Sequence, residues 1–346
     1  VFLARDGIGI KPLYYSLNDE FIIFSSELKT IEQSGTINFE ANLDSYLAYL
    51  RHLCIPGDQT GNKNIFKLEP GQYAVINKNG DIYKKTYWDP FKFEINNDIS
   101  EHEAIKKVEE LLIKSVEYRK VSDVEVGLFL SGGLDSSLIG KLMNKGNESK
   151  IKSFNIDYEE HFEGYKGEVK EARFAASEIG VELVEDTISY SDFKQLLDNY
   201  SFYQDDLVGD EVGIPLYFLG RSSRKNNIKV IQVGEGADEL FYGYEHWLRF
   251  MKLNRLIKPI TSKRNSLLMF DNHRSNLVSN ILFNRTSFSG GALGFNLSEI
   301  NNLVSGGISN EYSSIHYVDN MWDQYFSNTN SKLSKWMTLV DLKIRL

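Results

Sequence analysis

The run Val126-Gly127-Leu128-Phe129-Leu130-Ser131-Gly132-Gly133-Leu134-Asp135-Ser136-Ser137 constrains this chain more than any other stretch. It reads as an apolar strand, a tight glycine loop and the start of a helix. Two glycines let the backbone curl close to an anion with no Cβ in the way. The loop N–H groups and the positive end of the following helix then face that anion. Ser131, Ser136 and Ser137 add hydroxyl donors, and Asp135 can hold a Mg²⁺ ion that bridges to phosphate. The pattern specifies a pyrophosphate cradle with a built-in metal ligand. It is distinct from the G-x-x-x-x-G-K-[ST] loop, which is absent. Ser-Gly-Gly is also ordinary turn material. The strand pattern before it and the helix pattern after it favour the cradle.

The flanking pattern places that loop in a larger architecture. A helix begins at Ser100, which forms a capping box with Glu103, and Ile105, Val108, Leu112 and Val116 keep one apolar face. Strand 124–130 leads into helix 136–144, strand 151–156 into helix 168–179, and strand 181–187 into helices 191–199 and 213–225 and strand 228–233. Such alternation predicts a parallel sheet covered by helices, with ligands at the carboxyl ends of its strands. Residues 1–93 read instead as strands and turns around a helix at 43–50. Phe21–Phe24 and Gln72–Ile76 are β-rich, and Asn79-Gly80 before Ile82-Tyr83 signals a hairpin. Trp88-Asp89-Pro90 and Asn96-Asn97-Asp98 read as the linker, so the expected domains are 1–93 and 100–346. The Asn/Ser-rich stretch 255–331 reads as irregular and helical surface structure, and Ser289-Gly290-Gly291 within it as a turn.

Charge and composition narrow the function. A net charge of −9 speaks against a nucleic-acid partner. No run approaches the ~20 apolar residues of a membrane span, and no signal peptide is visible. One cysteine, Cys54, excludes an internal disulfide and fits a reducing, cytoplasmic setting; in Leu53-Cys54-Ile55 it reads as a packing residue. The six histidines show no i,i+3 or i,i+4 pair, which argues against a histidine zinc site. The chain opens on Val1 in an apparent strand and ends at Leu346 inside an apolar helical pattern. Both ends are expected to be truncations of a longer protein.

A second loop repeats the logic of the first. In Ile231-Gln232-Val233-Gly234-Glu235-Gly236-Ala237-Asp238-Glu239-Leu240-Phe241-Tyr242-Gly243-Tyr244 a buried strand delivers two glycines at its tip, with Glu235, Asp238 and Glu239 beyond. Together the two loops resemble those of the asparagine synthetase family of glutamine-dependent amidotransferases. Ser131–Ser137 looks like that family's pyrophosphate loop and Gly234–Phe241 with Gly243-Tyr244 like its second signature. Ser153-Phe154-Asn155-Ile156 looks like the strand whose end touches adenine, and Pro215-Leu216-Tyr217 with Arg221 like the intervening helix. Arg5–Tyr15, Phe24–Lys29, Leu68-Glu69-Pro70-Gly71 and Tyr87-Trp88 look like the tail of the family's glutaminase domain.

The resemblance implies an α/β fold: a parallel-sheet adenine-nucleotide domain of the PP-loop ATP pyrophosphatase type, preceded by the β-rich remnant of an Ntn glutaminase. It implies ATP and Mg²⁺, and amidation of a carboxylate through an acyl-adenylate, with aspartate as the leading acceptor and glutamine-derived ammonia as the amine. A sugar uronate or a β-amino acid closed to a lactam remain alternative acceptors, and the resemblance allows a homodimer. By resemblance Leu130, Ser131, Gly132, Gly133, Asp135, Ser136, Ile156, Val233 and Gly234 bind nucleotide and pyrophosphate. Asp135 and Asp238 bind Mg²⁺, Glu235 is the acid/base, and Asp206 and Tyr244 approach the acid substrate. The family's glutaminase nucleophile is an N-terminal cysteine, for which Val1 offers no thiol. Residues 1–346 are therefore expected to release no ammonia from glutamine, since amide hydrolysis of that type needs a thiolate with its own α-amino group as base. Measurable hydrolysis by this chain would overturn the alignment of its N-terminal part.

Overall fold

The computed structural model describes the chain except for residues 19, 94–97, 147–149, 160–166, 211, 258–280, 282–285, 291–293, 306, 309–311, 328–330 and 345–346. It forms two compact units. One comprises Val1–Phe93, Phe202–Asp210 and Asp238–Leu346, the other Glu94–Ser201 and Glu211–Ala237. The chain thus passes between units repeatedly, where the sequence suggests one boundary between 93 and 100.

The first unit begins with β1 (Phe2–Ala4), β2 (Tyr14–Leu17), β3 (Ile22–Ser25), α1 (Leu28–Gln33), α2 (Leu43–His52), β4 (Phe66–Lys67), β5 (Gln72–Ile76) and β6 (Ile82–Thr86). The strands make two antiparallel sheets, ordered β1-β5-β6 and β3-β2-β4. Along β5 burial alternates as a half-buried strand requires: Ala74 and Ile76 are buried while Val75 is exposed. The β5–β6 hairpin forms where Asn79-Gly80 signals it, but with a different turn. Only Gly80 is left-handed (φ 87°). Asn77 N–H donates to Asp81 O at 3.1 Å, and Gly80 N–H to Asn77 O at 3.3 Å. This is a three-residue loop closing on a left-handed glycine rather than a two-residue turn.

Two later segments complete this unit. Asp205 accepts hydrogen bonds from Leu28 N (2.6 Å) and Lys29 N (2.9 Å), and so caps α1, whose own cap residue Glu27 makes no side-chain capping bond. Cys54 pairs in a β-bridge with Val208, and its Sγ donates to Ile344 O at 3.1 Å. Beyond Asp238, the helices Glu245–Ile257, Leu297–Leu303, Tyr317–Phe326 and Leu333–Ile344 follow. Trp247, Phe288, Val318, Trp322, Trp336 and Met337 pack there into one aromatic-rich core. The described part of 255–331 is therefore not surface structure throughout. Val318 is fully buried and Trp322 nearly so, because aromatic residues spaced through polar sequence still find one another in three dimensions. The turn expected at 289–291 lies partly outside the described residues.

The second unit holds α3 (Glu101–Lys120), β7 (Val126–Phe129), α4 (Leu134–Asn144), β8 (Lys152–Tyr158), α5 (Val169–Ile179), β9 (Glu182–Ile188), α6 (Tyr190–Leu197), α8 (Gly213–Lys225) and β10 (Val230–Gln232); α7 (Tyr200–Gln204) starts in it. The capping box of α3 is present, with Ser100 Oγ accepting from Glu103 N at 3.3 Å. Its apolar stripe is only partly used. Val116 packs with Leu128, Leu130 and Met143, whereas Ile105 is 60% exposed, because only the last turns of the helix lie on the sheet core. The helix expected over 191–199 is interrupted after Leu197.

All strand pairs in this sheet are parallel, in the order β10-β7-β8-β9. The chain runs from β7 outward to β8 and β9, then returns to place β10 on the other side of β7. The order therefore reverses between β7 and β10, and the crevice at the carboxyl ends of these two strands is the topological switch point where open α/β sheets bind ligands.

One buried group gives the first unit a pH dependence. His52 is 2% exposed, with Nε2 3.4 Å from Ile315 O. Burial, and then the Arg51 charge, push its imidazole down from 6.5 to about 4. The unfolded chain therefore binds more protons than the folded one between those values, and stability falls as pH drops through that window. Chemical denaturation at pH 7 and pH 4.5 should show a loss whose His52 share reaches about 1.4 kcal/mol per pH unit at most, and His52→Gln should shrink it. An unchanged pH slope in the variant would refute the assignment.

Candidate nucleotide site

β7 ends at Phe129, and Leu130 carries the chain into the loop while still tied to β8. Its N–H donates to Phe154 O at 3.0 Å, and its carbonyl accepts from Asn155 Nδ2 at 2.8 Å. The backbone then turns through Gly132, at φ +85°. A Cβ there would overlap the Glu171–Ala172 peptide, lying 2.5 Å from Ala172 N. The loop thus rests on the first turn of α5, and only glycine meets both demands.

The Ser131 and Ser136 hydroxyls turn inward. Ser131 Oγ accepts from Gly133 N at 3.2 Å and lies 3.0 Å from Ser136 Oγ; Ser136 Oγ also donates to Gly133 O at 3.4 Å. Ser131 and Ser136 therefore brace the loop internally. What these two leave for an anion is the backbone. Gly133 is the N-cap of α4 and has no side chain to cap it, so the first-turn N–H groups and the helix dipole are left for an external acceptor. Asp135 sits in that first turn, half-buried, while Leu134 beside it is 81% exposed.

The second loop meets the first directly. A Cβ on Gly234 would lie 3.0 Å from Ser136 N and 3.3 Å from Asp135 Cβ. The tip of β10 thus approaches the start of α4 as closely as a glycine permits. Val233 and Glu235, on either side, are exposed, and Ile156 is buried with Ile188, Leu196 and Phe218. Glu168, the N-cap of α5, has its carboxyl raised above the usual range by burial and by neighbouring Glu171.

The structure thus brings Leu130, Ser131, Gly132, Gly133, Asp135, Ser136 and Gly234 together, with Val233 and Glu235 attached by chain continuity. Ile156 is also in the second unit, but packs in the core formed with Ile188, Leu196 and Phe218. Asp206, Asp238 and Tyr244 belong to the first unit. Asp238 accepts Gly243 N–H on its backbone carbonyl at 3.0 Å. Asp206 pairs with Lys67 Nζ at 3.0 Å. Burial, then the charges of Asp206 and Asp205, push the Tyr14 phenol up. Tyr244 donates its hydroxyl to Glu239 Oε1 at 2.6 Å, and its ring lies 5.5 Å from Trp247. Among the described residues no group of three or more histidine, cysteine or acidic side chains assembles for a metal ion. Two contributors to the loop were not singled out from sequence: the Glu171–Ala172 peptide, which leaves no local signal, and Asn155, whose signal is a lone amide inside the apolar run Phe154-Asn155-Ile156.

A glycine loop at the start of a helix, set at the switch point of a parallel sheet, defines the second unit as an α/β domain of the nucleotide-binding class. The asparagine synthase family model matches residues 107–334, and the glutamine amidotransferase domain model matches residues 1–88. The chain belongs to the asparagine synthase family. It is 34% identical to "Asparagine synthetase [glutamine-hydrolyzing] 1" of Bacillus subtilis over 70% of this chain and 37% of that protein. It is 33% identical to "Putative asparagine synthetase [glutamine-hydrolyzing] 2" of Methanocaldococcus jannaschii, over 76% and 52% respectively. The chain therefore spans about a third to a half of these curated relatives. Among solved structures, the NH3-dependent NAD synthetase of Campylobacter jejuni matches 40% of this chain and 60% of its own at 22% identity and a TM-score of 0.27. No described helix is long and apolar enough to cross a membrane.

Gly132 and Gly146 separate the two costs of a side chain. Both are left-handed, but a Cβ on Gly146 would meet nothing within 4 Å. Gly146→Ala should cost about 1–2 kcal/mol from backbone conformation alone. Gly132→Ala should cost about 2–5 kcal/mol, because overlap with α5 adds to it. Equal losses in a denaturation series would show that the loop does not rest on α5.

Proposed function

We propose that the protein containing this chain amidates a carboxylic acid at the expense of ATP, with aspartate as acceptor and glutamine as the source of ammonia. Family membership supports the reaction class. The observation that carries the reading is the approach of Gly234 to Asp135 and Ser136, which makes one site of two loops at the switch point.

A carboxylate cannot be aminated directly, because oxide does not leave. Attack of a carboxylate oxygen on the α-phosphate of ATP forms an acyl-adenylate and expels pyrophosphate. Ammonia then attacks the acyl carbon and AMP leaves. In this reading the first-turn N–H groups of α4 hold the pyrophosphate, with Ser131 and Ser136 bracing the loop. Leu130, Ile156, Val233 and Gly234 line the nucleotide. Glu235 is exposed at the rim, where a carboxylate can exchange protons with the incoming amine.

The donor chemistry fits Mg²⁺. Asp135 and Glu235 put negative charge beside an anion-binding helix end, which would repel a triphosphate unless a cation intervenes. One or two carboxylates acting with phosphate oxygens are the usual magnesium ligands, and Asp135 would supply one from the first turn of α4. When bound, the ion neutralises phosphate charge as the leaving group departs.

ATP–pyrophosphate exchange driven by aspartate is the test, run beside other carboxylic acids. Asp135→Ala should reduce exchange by at least about 10²-fold, the scale on which phosphate charge stabilisation acts, with folding retained. Near wild-type exchange would remove Asp135 from the site. Exchange with another acid but not aspartate would keep the chemistry and replace the acceptor.

A further inference from the structure

We infer that Asn155 is a positioning residue for the 131–137 loop: its side-chain amide fixes the peptide at which β7 gives way to the loop. The inference rests on that loop being the phosphate-binding element, and adds a residue from the neighbouring strand.

Leu130 is 1% exposed and follows the last residue of β7. Its N–H is satisfied by Phe154 O, but the loop turns away before its carbonyl can join a strand ladder. Asn155 Nδ2 takes that place at 2.8 Å. The orientation of the amide follows from chemistry: a carbonyl only accepts, so the atom facing it must be the nitrogen. Asn155 is itself 5% exposed. Its Oδ1 is buried without a hydrogen-bond partner. An amide held at the cost of an unsatisfied acceptor is expensive where an apolar side chain would pack without one. The one bond it makes is to the peptide preceding Ser131, so the function of the amide is to aim that peptide.

Leu130 is thereby held on both sides by consecutive residues of β8. Gly132 is held by α5, and Gly133 by Ser131. With its entry, apex and exit fixed, the loop presents the first-turn N–H groups of α4 without having to order itself when an anion arrives. Without the amide, the Leu130 carbonyl is a buried acceptor with no donor, and the loop must shift to reach solvent.

Ser153 supplies the control. It lies two residues away on the same strand and also makes one side-chain bond to backbone, Oγ to Glu182 O at 2.9 Å, but toward β9 and away from the loop. Asn155→Leu, Asn155→Ala and Ser153→Ala in the 346-residue chain would be followed by amide hydrogen exchange with mass spectrometry and by titration with ATP in magnesium buffer. Either folded Asn155 variant should speed exchange in peptides covering 130–137 by roughly tenfold or more. Protection across β8 and β9 should stay unchanged, and ATP affinity should fall by a similar factor. Ser153→Ala should leave both loop exchange and affinity as in wild type.

Unchanged loop exchange in a folded Asn155 variant would overturn the inference. So would equal loosening in Ser153→Ala, or global loss of protection in both Asn155 variants, which would make the residue a determinant of the whole fold. If wild type binds no ATP while the Asn155 variants still loosen the loop selectively, the positioning role stands and the nucleotide reading falls.

Discussion

The second unit depends on how closely the tip of β10 can approach the start of α4. Parallel pairing of β10 with β7 brings the two strand ends side by side, and a Cβ at position 234 would lie 3.0 Å from Ser136 N. A side chain there would push apart the two loops that form the crevice. The approach is possible because the strand order reverses at this point, so the chain leaves β7 on one side and returns on the other. Gly234 and Gly132 therefore set the geometry of the site before any polar group contributes to it.

The polar groups divide into those that build the cradle and those that remain for a ligand. Ser131 and Ser136 are occupied with Gly133, and Asn155 with Leu130. Internal bonds of this kind cost the site nothing in anion affinity if they keep the helix N–H groups aligned, since preorganised donors need not be ordered on binding. Asp135, half-buried in the first turn of α4, and Glu235, exposed after the tip of β10, put two carboxylates near the same helix start.

In the first unit, motif residues serve the fold. Asp6 accepts from the N–H groups of Ile8, Gly9, Ile10 and Lys11, and Arg5 donates to the carbonyls of Gly9, Lys11 and Leu68. The two side chains hold a loop that glycine and proline would otherwise leave without regular pairing. Asp205 caps a helix remote in sequence, and Asp206 neutralises Lys67, itself bonded to Ile55 O at 2.7 Å. Tyr244 likewise has its hydroxyl on Glu239 and its ring among the aromatics of that core.

What the sequence determined by itself was the local part. Ser100 with Glu103, the helix over 213–225, β5 and the glycine loop before α4 are legible because each is encoded within a few residues, by cap chemistry, periodicity or backbone freedom. The parallel sheet followed from the alternation of those elements. What only the tertiary structure decided was which partner each polar group took. A carboxylate at 205 carries no sign that it will meet the N–H of residue 28, nor an amide at 155 that it will meet the carbonyl of residue 130. Serine hydroxyls are written the same way whether they face a ligand or their own loop, and the stripe on α3 does not say that Ile105 will stay exposed. Hydrogen-bonding capacity belongs to the residue, but its partner is chosen by distance, and distances between remote segments exist only once the sheet has formed.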